Sequence, residues 1–118
     1  MKTLKISLII LLSTLVFTGL YSCKKCKNED PSARIINNGT ENASVQIKTS
    51  GGNTVNINNV APGTSSPYAS YASGIVTFTI TVANNNYVET VQMVECFNYD
   101  ISIDSKNNIT TTAIDRNN

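Results

Sequence analysis

The chain has 118 residues, 41% of them hydrophobic and 14% charged, which is enough for one compact domain and too few for two. Its formal charge of +1 includes Lys2 and Lys5; from Cys23 onward five Lys and two Arg stand against eight acids, a net of −1, so no electrostatic case for nucleic-acid binding remains. Histidine is absent, which excludes a Ser-His-Asp triad and a Cys-His pair.

The first 22 residues have the three parts of a secretion signal: a basic start with Lys2 and Lys5, an apolar run from Ile6 to about Phe17, and a small-residue exit through Thr18 and Gly19. A spanning helix needs about 20 apolar residues. This run is shorter, is interrupted by Ser7, Ser13 and Thr14, and is followed by Lys24, Lys25 and Lys27. Leu20-Tyr21-Ser22-Cys23 resembles the bacterial lipobox, with Tyr21 departing from the small residue usual at its position. The resemblance implies cleavage before Cys23, a diacylglycerol on its sulfur, and acylation of its new amino group. Two or three acyl chains hold stably where one does not. The alternative is ordinary cleavage near Ser22 with Cys23 left as a free thiol. Lys27-Asn28-Glu29-Asp30 resembles the short export signal of some Bacteroidota lipoproteins, and its plain alternative is a solvated linker. Residues 23–32 are expected to form a lipidated polar tether; fully extended, its stretch from 24 to 32 reaches about 30 Å. The implied location is the bacterial cell envelope, at the outer membrane.

With Cys23 as anchor, Cys26 and Cys96 are an even pair in an oxidising compartment, hence candidates for a disulfide. Cys23-Lys24-Lys25-Cys26 does not read as a redox motif, because such motifs open a helix within a folded domain. Nor does it read as a metal clip, since histidine and a second CxxC are missing. Cys96 is expected on the more polar side of a strand whose other face carries Phe97, Tyr99, Ile101 and Ile103.

From Pro31 onward apolar residues alternate with polar ones. The clearest instance is Ile75–Val82, with Val76, Phe78, Ile80 and Val82 on one face and threonines on the other. Strands are also predicted at 33–37, at 44–49 with Val45 and Ile47 inward, at 54–60 with Val55 and Ile57 inward, and at 87–95, 97–104 and 109–114. An eighth is predicted at 68–72. Turn chemistry separates them at Asn38-Gly39, Ser50-Gly51-Gly52-Asn53, Ala61-Pro62-Gly63, Asn84-Asn85-Asn86 and Ser105-Lys106-Asn107-Asn108. Seven to eight short strands, each with one apolar face, predict an all-β fold: a single antiparallel β-sandwich of immunoglobulin-like or transthyretin-like kind over residues 33–118, with a small barrel as runner-up. The order "ARIIN", "VAPGTSSPYASY", "GIVTFTITVAN", "NYDISID" resembles a group of β-sandwich modules common in secreted and lipid-anchored bacterial proteins, which implies fold and location and no activity.

Among carboxylates, Glu89, Glu95, Asp100 and Asp104 are the candidates for glycoside hydrolysis. Asp100 and Asp104 on one extended strand lie about 13 Å apart, too far for a catalytic pair. Asp100, Ser102, Asp104, Asn107 and Asn108 form no calcium loop, because a straight strand does not wrap an ion. Neither a metal nor a cofactor is expected, and the protein reads as non-enzymatic. Tyr68 and Tyr71 in "TSSPYASYAS" are candidate exposed platforms for a glycan or an envelope protein, against ordinary packing at a sheet edge. The competing reading is a structural subunit that assembles through its strand edges.

Overall fold

The computed structural model describes residues 26–117; the expectations placed on the leader, Cys23, Lys24 and Lys25 lie outside the described residues. Nine strands form there: β1 (Ser32–Asn37), β2 (Ala43–Lys48), β3 (Thr54–Val60), β4 (Thr64–Ser65), β5 (Ala69–Ser70), β6 (Gly74–Val82), β7 (Asn85–Met93), β8 (Phe97–Ile103) and β9 (Ile109–Asp115), with burial alternating residue by residue most clearly in β1, β6 and β8. One sheet runs β4-β1-β8-β9, with β5 also on β1, and the other runs β3-β2-β6-β7. They pack as a β-sandwich. Val45, Ile47, Val76, Phe78 and Ile80 of the second sheet meet Ile35, Tyr99, Ile101 and Ile103 of the first.

Local chemistry sets the connections. The β6–β7 hairpin turns on Ala83 and Asn84, both at positive φ (50° and 67°), the backbone that a two-residue hairpin needs to match strand twist. The turn therefore sits one residue earlier than the asparagine run suggests. Gly74 opens β6 at φ 122°, and a Cβ there would come within 2.8 Å of the Ser50 Cβ, so only glycine lets the β2–β3 turn lie against β6. Asn37 is buried at the end of β1. Its Nδ2 donates to the carbonyls of Glu41 (2.7 Å) and Val60 (2.8 Å), and its Oδ1 accepts from Gly39 N at 2.9 Å, tying β1 to the end of β3.

Four expectations need correction. The sandwich is not wholly antiparallel: β1 pairs with β8 in parallel, from Ser32↔Asn98 to Asn37↔Ile103. Burial alternates identically in both kinds of ladder, so the pattern cannot tell them apart. Val55 is 38% exposed and Ile57 only half-buried, because β3 is the edge of its sheet and little of the opposite sheet lies beneath it. Cys96 is not a polar-face strand residue; it is buried, precedes β8 and has φ 65°. Finally, residues 26–32 are not a free tether: Cys26 is bonded to Cys96, and Glu29 O and Pro31 O accept backbone bonds from the domain.

Candidate functional site

Alternation along β1 sends Ala33, Ile35 and Asn37 inward and leaves Ser32, Arg34 and Ile36 outward. On β8 the outward residues are Asn98, Asp100 and Ser102. The parallel register places Arg34 beside Asp100, and β9 sets Thr112 opposite Asp100. Arg34 forks onto the carboxylate, Nε to Oδ1 at 2.9 Å and Nη2 to Oδ2 at 3.1 Å, the planar pairing that a guanidinium favours. Tyr68 completes the cluster. Its hydroxyl donates to Asp100 Oδ1, and the Arg34 guanidinium carbon stands 4.7 Å from the ring centroid, within cation–π range.

The segment that carries Tyr68 is fixed by Ser66, whose backbone N donates to Ile35 O and whose Oγ accepts from Ile35 N, both at 2.9 Å. Charge is compensated within the cluster. Arg34 first, and Tyr68 less, hold the Asp100 carboxyl below the usual carboxylate range. Burial, then the bond to Asp100, pushes the Tyr68 phenol up. Each group stabilises the others in their resting protonation states, so the cluster supplies neither a poised base nor a nucleophile. It supplies a fixed aromatic ring and a guanidinium whose Nη1 has no acceptor among the described residues, on a sheet face that also carries Ser32, Ser70, Asn98, Ser102 and Thr112, with Ile36 and the 41% exposed Ile114 as its apolar members. Such a face suits a polyhydroxylated ligand, with hydrogen bonds from short side chains and contact from the ring.

Tyr71 does not join it. The expected exposed platform is 6% exposed and packs in the core, and its backbone N donates to Pro31 O at 3.0 Å. Tyr68 and Tyr71 flank β5 three residues apart, and odd separations on an extended chain point to opposite faces. Arg34 was missed in the sequence. Its outward position was legible, but the partner 66 residues away depends on the parallel pairing. Two of the other candidate carboxylates do local work: Asp104 accepts from Lys106 N at 2.8 Å and Asn108 N at 2.9 Å, and Glu89 accepts from Thr111 Oγ1 at 2.8 Å, linking β7 to β9; Glu95 is exposed in the turn before β8.

A second constellation gathers at one end of the sandwich. Cys26 and Cys96 form a disulfide, with Cα atoms 5.8 Å apart across 70 residues of sequence. Cys96 N donates to Glu29 O at 2.9 Å, and its own carbonyl accepts from Arg116 N at 2.9 Å. Arg116 Nη1 reaches Glu29 Oε2 at 3.0 Å and Nη2 reaches Asp30 O at 2.8 Å. Pro31 is buried. Residues 26–32 are thus a strap stitched to the domain.

Fold and site together define a β-sandwich with a mainly polar outer face that bears one tyrosine. No protein-family profile matches the chain, and no curated protein matches it. Among solved structures it is similar to a protein from Eubacterium rectale determined by NMR, at 14% identity and a TM-score of 0.51 over 75% of this chain and 91% of that one. That likeness concerns the fold alone.

Proposed function

We propose that the protein is a lipid-anchored, non-enzymatic module of the bacterial cell envelope that binds a glycan through the outer face of the β4-β1-β8-β9 sheet. The observation that carries the reading is Tyr68, held in place by Arg34 over its ring and Asp100 on its hydroxyl yet 39% exposed. A side chain fixed before the ligand arrives loses little rotamer freedom on binding. The lipobox-like Leu20-Tyr21-Ser22-Cys23 supports the anchored location. Tyr68 would stack on a sugar ring, while Arg34 and the neighbouring hydroxyls would bond its substituents.

A glycan array followed by calorimetry on the best ligand tests this. Wild type should bind, and Tyr68→Ala should abolish the signal while its thermal melt stays close to wild type. Undiminished binding by the variant, or no glycan bound by wild type and capture of an envelope protein instead, would overturn the glycan reading.

A further inference from the structure

The four sheet edges are not treated alike by the sequence. β7 carries Glu89 on its core-facing side, bonded to Thr111 of β9, and β9 ends on Asp115. β4 and β5 are two residues each, with Pro67 between them. Inward charge, brevity and proline are the usual ways of blunting an edge against pairing. β3, Thr-Val-Asn-Ile-Asn-Asn-Val, has neither charge nor proline over seven residues, and among the described residues no strand lies on its far side.

Its free groups can be assigned. Thr49 N donates to Asn53 O at 2.9 Å in the hairpin, and Lys48↔Thr54 is the next pair. Hydrogen-bonded and non-bonded pairs alternate along an antiparallel ladder. Val55 and Ile57 therefore bond to β2, while the backbone N–H and C=O of Thr54, Asn56 and Asn58 face outward. Beyond Asn58 the register shifts, and Asn59 adopts φ 58°, so the usable edge runs from Thr54 to Asn58 and is centred on Asn56. On its inner side, Val55 and Ile57 are the apolar residues left incompletely covered.

We infer that the β3 edge pairs with β3 of a second copy of this chain, antiparallel, about a two-fold axis at Asn56. In that register each Asn56 both donates to and accepts from the other, Thr54 pairs with Asn58 on either side, and Val55 of one copy covers Ile57 of the other. Two-folds through Val55 or Ile57 leave one apolar residue uncovered and use fewer of the outward groups. A two-fold axis sets residues near it against their own or similar kind, which is costly for a charged strand and harmless for this one. The result is a closed dimer with one continuous eight-stranded sheet. It involves the sheet opposite Tyr68 and is independent of the glycan reading.

Sedimentation equilibrium of the purified chain over a dilution series, paired with amide exchange, tests it. Mass should rise reversibly from monomer to dimer, with the amides of Thr54, Asn56 and Asn58 protected as dimer forms. Asn56→Pro deletes outward donors without touching the β2 ladder and should weaken dimerisation about tenfold or more. Asn56→Lys should weaken it as well, an equal mixture with Asn56→Glu should restore it, and Tyr68→Ala should leave it intact. Unchanged melting of the Asn56 variants separates a lost interface from a lost fold. A monomer at every concentration, protection of those amides in a species of monomer mass, a dimer indifferent to Asn56, or open-ended polymers would each overturn the inference.

Discussion

Asp100 accepts bonds from two side chains at once, and its depressed carboxyl makes part of the fold's stability depend on pH. The unfolded carboxyl titrates at about pH 3.9. Because the folded value lies lower, with Arg34 the largest cause, the contribution is fully present above the unfolded value and is lost as pH falls through the folded one. Asp104, lowered first by the Asn108 amide, behaves the same way. Acid titration of stability should therefore fall less steeply in Asp100→Asn than in wild type without becoming flat. An identical acid limb would show that the Arg34–Asp100 pair adds nothing to the fold. The core makes a simpler contrast. Phe78 is fully buried and Thr79, its neighbour, half-buried on the other face. Phe78→Ala should cost about 3–5 kcal/mol in urea melts, and Thr79→Ala well under half of that.

At the scale of elements, the disulfide and the bonds around Glu29 hold the N-terminal strap against the start of β8. Reduction should destabilise the domain by up to about 4 kcal/mol on the chain-entropy account of a loop this long, less if the unfolded chain is itself compact. Urea midpoints with and without reductant, alongside thiol labelling of Cys26 and Cys96, measure the loss. Much of this layout was legible. β6 declares itself by strict alternation, and β3 has the bounds its sequence implies, since hydrophobic period and turn residues are local signals. What escaped is non-local. The parallel β1–β8 ladder joins segments some 60 residues apart that alternate no differently from antiparallel ones, and with it went Arg34 as the partner of Asp100. The exposure of Val55 was hidden because a strand's own pattern does not say that it lies at an edge. Tyr71 is a local case, because its odd spacing from Tyr68 already places the two rings on opposite faces.

For the molecule as a whole, the strap changes how an anchored domain would stand. With residues 26–32 bound to the body, Cys23 is separated from the disulfide by Lys24 and Lys25 alone, about 10 Å of fully extended chain from Cys23 to Cys26. The end bearing Cys96 and Arg116 would then face the bilayer closely, with the Tyr68 face turned sideways to it and both lysines at the headgroups. Cys23→Ala should release the protein from membranes, whereas Cys26→Ala should leave it anchored but loosen the strap; fractionation with surface proteolysis reads both. The anchor is most directly tested by mass spectrometry of the mature N-terminal peptide. The mature chain should begin at Cys23 and carry a diacylglyceryl thioether and an acylated amino group. An unmodified Cys23, or a mature terminus at any other residue, would contradict it.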